Sequence, residues 1–154
     1  MSVPSQPSDA ATYLCPSCGT PVLVEPVGLA GDAPCLGCGR LLWFLRKPVG
    51  NVTVLRFLPG LIAGSDCLGR VDEVMAAAGK PPRLVVDLAH LRFISSLFLA
   101  LMVQLHVKVL AAGGTMKICG LNIINIGIIR LTYLDALFST YDDELSALAS
   151  FSSS

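Results

Sequence analysis

Four cysteines near the start of the chain stand as two pairs, Cys15-Pro16-Ser17-Cys18-Gly19 and Cys35-Leu36-Gly37-Cys38-Gly39, with sixteen residues between the pairs. Two residues within each pair let both thiolates aim at one ion, and the glycine after it frees the backbone to tighten and turn its amides toward sulfur. Four thiolates so spaced make a tetrahedral structural zinc site with Cys15, Cys18, Cys35 and Cys38 as ligands. A redox dithiol needs one such pair at the start of a helix, and neither pair precedes a helical pattern. A rubredoxin-like iron site uses the same ligands and knuckles, and it and a vestigial site that no longer binds metal stay open as alternatives.

Ser95-Ser96, directly ahead of the apolar run that begins at Leu97, is the second place where chemistry could occur. A serine there is a good helix N-cap, because its hydroxyl accepts from amides that lack a carbonyl partner in the first turn. A phosphate at the same place would lie beside free amides and the positive end of the helix dipole, which tolerate negative charge. Asp87 ends an apolar strand and is expected to cap the following loop, with a phosphoacceptor or metal role as the alternative. His90 and His106 have no cysteine or carboxylate at ligand spacing and read as surface or satisfied histidines.

The elements that must position these groups follow from periodicity and turn signals. Residues 1–12, rich in Ser, Pro and Ala, are expected to be a flexible tail and lack the basic start and apolar stretch of a signal peptide. Residues 13–45 read as a small zinc ribbon, with strands over 21–27 and 41–45, and residues 46–51 as a linker that breaks both periodicities. Residues 52–150 form the second unit, and 151–154 a tail. Within that unit the pattern predicts strands at 52–57, 84–88, 115–119 and 137–140. Helices are predicted from Ser65 or Asp66 to 78, then over 97–112, 122–131 and 142–150. Such alternation places helices over a sheet joined by right-handed crossovers, an α/β architecture. On the helix after Ser96, Ala100, Gln104 and Lys108 form a narrow polar stripe expected near solvent, with Leu99, Met102, Val103 and Val109 toward the sheet.

Eleven basic and eleven acidic residues balance, and the first 47 residues hold three of each, so no basic footprint for nucleic acid exists. The apolar run 93–110 contains Gln104, His106 and Lys108 and is short for a membrane span. A cytoplasmic protein in a reducing compartment is expected, with Cys67 and Cys119 as inert packing residues. Hydrolase motifs, a phosphate-cradling glycine loop and paired carboxylates in a credible site are not found in the sequence, and Asp142-Asp143-Glu144 reads as an acidic first helical turn.

Three stretches of the second unit resemble the STAS domain, the fold of bacterial anti-sigma-factor antagonists and of sulfate-transporter tails. Leu84-Val85-Val86-Asp87-Leu88 with Leu91-Arg92-Phe93-Ile94-Ser95-Ser96 is similar to the central strand and the loop leading to the phosphorylatable serine. Ala111-Ala112-Gly113-Gly114 with Met116-Lys117-Ile118-Cys119-Gly120-Leu121 is similar to a helix end and the next strand. Leu131-Thr132-Tyr133-Leu134-Asp135-Ala136-Leu137-Phe138 resembles the end of the following helix, where the family often has glycine in place of Tyr133.

The resemblance implies a STAS-like mixed sheet with covering helices over 52–150, behind the ribbon. It also implies a non-enzymatic regulatory module that binds an anti-sigma factor with serine-kinase activity. Phosphorylation at Ser96, or with less support at Ser95, would control that binding, and Ser95, Ser96, Leu97 and Phe98 would face the partner. The family signature runs aromatic, aliphatic, Asp, Ser, a small residue, Gly, Leu. Here Ser95 takes the Asp position, Ser96 the acceptor position and Phe98 the Gly position. A large Phe98 at a partner-facing helix start would block docking or create a different contact. A constitutive interaction scaffold, with Ile123, Ile124, Ile126, Ile128 and Ile129 supplying apolar surface, is the alternative function.

Overall fold

The computed structural model describes residues 13–22, 33–35, 37–39, 41–58 and 71–152. Two short strands, β1 (Ala33–Pro34) and β2 (Leu41–Leu42), pair antiparallel beside the cysteines. β3 (Phe44–Val49), β4 (Val52–Phe57), β5 (Arg83–Asp87), β6 (Thr115–Cys119) and β7 (Ser139–Tyr141) form one sheet in chain order. The β3–β4 pair is antiparallel and the other three are parallel. Each parallel step carries a helix: α1 (Val71–Ala77), α2 (Ser96–Ala111) and α3 (Ile123–Leu131), with α4 (Glu144–Ser152) last. This is the expected α/β mixed sheet. Among the described residues no helix is long and apolar enough to cross a membrane.

Strand alternation sends residues to two faces. Leu55, Phe57, Leu84, Val86, Met116 and Ile118 join the larger core with α1, α2 and α3, whereas Val52, Val54, Val85 and Cys119 pack under Ala147 and Phe151 of α4. On α2, Gln104 and Lys108 reach solvent, Met102 and Val109 are buried, and Leu99 and Val103 are partly buried against the core. Burial pushes the Cys119 thiol up to about 12, which leaves it an inert packing residue.

Two expected boundaries are corrected. Residues 46–51, read as a linker, are most of β3 and the turn that returns the chain into β4, with Val49 opposite Val52 and Gly50 at φ +62°. Lys-Pro-Val-Gly-Asn looks like a break because a hairpin turn and an edge strand use the same residues as a linker. Phe151, placed in a terminal tail, lies in α4 and is buried. The helix start at Ser65 or Asp66, Cys67, the tail 1–12 and most of the strand 21–27 fall outside the described residues.

His106, read as a surface or satisfied histidine, is buried edge-on against Phe138, with ring centroids 5.5 Å apart, and its Nδ1 has no hydrogen-bond partner among the described residues. Desolvation pulls its pKa below the ordinary 6.5. The unfolded chain therefore takes up the proton first as pH falls, so stability is full above 6.5 and declines below it until the folded-state value is passed. Urea midpoints of the wild type are expected to drop between about pH 7.5 and about pH 5.5, and His106→Leu is expected to flatten that dependence.

Tyr133, after α3, adopts φ +61°, the left-handed region that costs a side-chain-bearing residue about 1 kcal/mol. Its ring is exposed, so little packing offsets the strain. Tyr133→Gly should raise stability by about 1 kcal/mol in urea unfolding, whereas Tyr133→Ala, which keeps the strain, should give no gain.

Candidate functional site

The four cysteines converge. Their sulfurs all lie within 4.8 Å of one another, and contacts run between the pairs, Cys18 to Cys35 at 3.5 Å and Cys15 to Cys38 at 3.9 Å. A tetrahedral ion with bonds of about 2.3 Å requires sulfur separations of about 3.8 Å, so the donor set fits one zinc-sized ion. Each knuckle repeats the same local chemistry. The Gly19 N–H donates to Cys15 O at 2.9 Å and the Gly39 N–H to Cys35 O at 2.8 Å, with both glycines at φ +80°. The Ser17 and Gly37 amides point at Cys15 and Cys35 sulfur, at 3.4 and 3.3 Å. A Cβ on Gly37 would collide with Thr20 Oγ1, so the two knuckles meet too closely for any larger residue.

Hydrogen bonding favours the metal-binding thiolate. The Thr20 hydroxyl, 3.0 Å from Cys18 sulfur, leads the effects that bring that thiol down to about 6, and the Cys38 amide leads those that lower Cys35. Cys15 and Cys35 are buried with Leu42, Leu45 and Leu58, whereas Cys18 and Cys38 are exposed. Leu45 belongs to β3 and Leu58 follows β4, so the knuckles pack on the sheet itself.

A charged cluster strengthens that seam. The Tyr13 hydroxyl donates to Glu144 Oε1 at 2.8 Å, and Lys47 pairs with the same carboxylate. Burial first, then the charge of Glu144, push the Tyr13 phenol well above its usual value. Arg56 lies 4.2 Å from the Tyr13 ring centroid, and its Nε donates to Asp87 Oδ2 at 3.0 Å. Asp87 Oδ1 accepts from the Ala89 N–H at 3.0 Å, so this carboxylate caps the loop after β5 as read from the sequence. β3, β4, β5, α4 and the segment before the first knuckle thus share one set of charges.

Beyond Asp87 the chain reaches the two serines. Ser95 is the N-cap of α2, its Oγ accepting from the Phe98 N–H at 3.1 Å. Ser96 begins the helix with its side chain exposed. Phe98, expected to face a partner, is corrected to a core residue. It is 2% exposed and meets Phe57 edge-on at 5.2 Å. Two residues of helix after Ser96 turn position 98 inward, so a side chain there fills the core instead of covering the serine.

Asn122 and Asn125 were missed in the sequence. Asn122 caps α3 by accepting from the Asn125 N–H at 2.8 Å, and its Nδ2 donates to Arg92 O at 2.9 Å. Asn125, fully buried, donates to Leu91 O at 3.0 Å. The loop that presents Ser96 is therefore tied to the start of α3. The signal was an Asn ahead of an apolar helical run with a second Asn three residues on. Around this junction Phe93, Leu97, Ile123 and Ile124 are exposed, Ile123 to 85%. Ile126 and Ile128 are half-buried and Ile129 is buried.

Comparison with known proteins agrees with this geometry. The profile of the STAS domain family matches residues 59–147. A solved anti-sigma-factor antagonist (STAS) domain protein from Planctomyces limnophilus superposes with a TM-score of 0.61 at 19% identity, covering 71% of this chain and 97% of that one. A putative anti-sigma factor antagonist from Thermotoga maritima gives 0.59 at 20% identity, covering 70% and 92%. An anti-sigma factor antagonist from Mycobacterium paratuberculosis gives 0.58 at 23% identity, covering 70% and 91%. No curated protein sequence matches significantly. At these identities the structural likeness is one of fold.

Proposed function

The chain belongs to the STAS domain family, and from that premise we propose that it is a non-enzymatic regulatory module that binds an anti-sigma factor with serine-kinase activity and is switched by phosphorylation at Ser96. The observation that carries this reading is the division of labour between the two serines: Ser95 holds the helix start, while Ser96 stands exposed beside it. A phosphoryl group on Ser96 would meet the first-turn amides of α2 without breaking the cap. Phe93, Leu97, Ile123 and Ile124 offer the apolar surface a partner would cover. A dianion introduced there without a cationic counterpart would weaken binding by several kcal/mol.

Zinc is the ion proposed for the knuckles, held by Cys15, Cys18, Cys35 and Cys38, where it would supply structure and no reaction step. A cytoplasmic setting suits four reduced thiols. A constitutive scaffold is the second reading, favoured by the same exposed isoleucines, which need no phosphate to bind.

Capture from native lysate with wild type, Ser96→Ala and Ser96→Glu distinguishes the two readings. The switch predicts an ATP-binding, kinase-like protein on wild type and Ser96→Ala, its recovery reduced at least about a hundredfold on Ser96→Glu, and phosphate on wild-type Ser96. Equal recovery by all three without phosphate establishes the scaffold instead.

A further inference from the structure

Two arginines of the sheet point to the α4 face, and their surroundings differ sharply. Arg56 meets Asp87 at 3.0 Å and Glu144 at 3.8 Å. Arg83, which opens β5 at the far end of that strand from the Ser96 loop, meets no carboxylate among the described residues. Its Nε is buried with no hydrogen-bond partner there, and its guanidinium carbon lies 5.0 Å from the Phe151 ring centroid. Stacking on an aromatic face leaves the in-plane N–H donors of a guanidinium unused. Lys117 adds a second positive charge 4.4 Å from the same ring, but its ammonium donates to Ser150 Oγ at 2.7 Å.

Arg83 lines an open cavity of about 580 Å³ with Gly50, Asn51, Leu145, Leu148 and Phe151. That volume falls within the range of about 300–1,000 Å³ usual for small-ligand sites. The half-buried guanidinium thus lacks a carboxylate partner among the described residues while it borders open space, so its terminal Nη groups are what a ligand in the cavity would meet.

We propose that this cavity binds a small organic monoanion, a carboxylate carried on an apolar body. The planar fork of Arg83 receives the carboxylate, and Leu148 and Phe151 cover the apolar part. One available fork suits a monoanion better than a dianion, because Arg83 is the cationic residue that lines the cavity and Lys117 is not part of that lining. The site does not depend on Ser96 or on the cysteine knuckles.

The test is a ¹H–¹⁵N NMR titration of the full chain with hexanoate, with hexan-1-ol and inorganic phosphate as counter-probes. Saturable shifts at the Gly50, Asn51 and Leu148 amides are expected with hexanoate, and binding at least about tenfold weaker with either counter-probe. Arg83→Gln should weaken hexanoate binding by about tenfold or more. Leu145→Asp, at a 77% exposed position on the cavity lining, should also weaken hexanoate binding by adding a negative charge there. Absence of a saturable shift with hexanoate, equal binding of hexanol or phosphate, or unchanged affinity in both variants would overturn the proposal.

Discussion

Phe98→Gly, which places the family's usual residue in this chain, is expected to destabilise the domain by about 4–6 kcal/mol in urea unfolding. Emptying a buried Phe site costs about 3–5 kcal/mol, and a glycine in the helix costs up to about 1 more. That loss is comparable with the whole stability of a small domain. The ring completes an aromatic series in which Trp43 meets Phe44 at 4.9 Å, Phe44 stacks on Phe57 at 5.7 Å, and Phe57 meets Phe98 at 5.2 Å. Phe98→Leu, which retains most of the apolar volume, should cost much less, about 1–2 kcal/mol. A glycine variant as stable as wild type and tighter in partner binding would show instead that the ring acts at the surface.

Removal of the proposed zinc with a strong chelator should unfold the knuckles and leave the helices standing. Structural zinc supplies about 10–16 kcal/mol of folding free energy in small zinc modules, and the segments around these cysteines have little core of their own. Hydrogen exchange should report the loss at Leu14, Gly19, Val22 and Gly39, whose amides are bonded within or beside the knuckles. Far-UV circular dichroism at 222 nm should stay within about a tenth of its starting value, because α1, α2 and α3 pack on the opposite face of the sheet. Global loss of helicity would mean that the Tyr13–Glu144–Arg56 cluster and the Leu45–Leu58 contact carry the domain's stability as well as joining it to the knuckles.

The order of strands and helices was legible because the apolar runs are long and separated by Gly-Gly, Pro-Pro and Asn signals. β4 and β6 fall at the predicted residues, and α2 begins at Ser96 behind its Ser95 cap. The knuckles were legible too, since metal geometry is written in local spacing. The seam between knuckles and sheet was not, because it depends on Tyr13 meeting Glu144, 131 residues away in the chain. The inward turn of Phe98 was hidden for another reason. Family alignment gives a position its role, whereas burial follows from helical phase, and at that position the two disagreed. Nothing in the local sequence singles out Arg83, because its lack of a carboxylate partner among the described residues is a matter of tertiary placement.

The isolated pairing of Leu14 with Arg46 has a consequence for the chain in a crowded solution. β3 is the outermost strand of the sheet, and Leu14 exchanges both backbone hydrogen bonds with Arg46, at 2.7 and 3.1 Å, on the side away from β4. Two residues further along the same side, Pro48 has no N–H to offer. An open strand edge is a template for association between copies, and here one part of it is occupied and another chemically blunted. The knuckle segment at this position acts as an edge guard, so a chain whose knuckles have unfolded would be exposed to strand-to-strand aggregation even with its core intact.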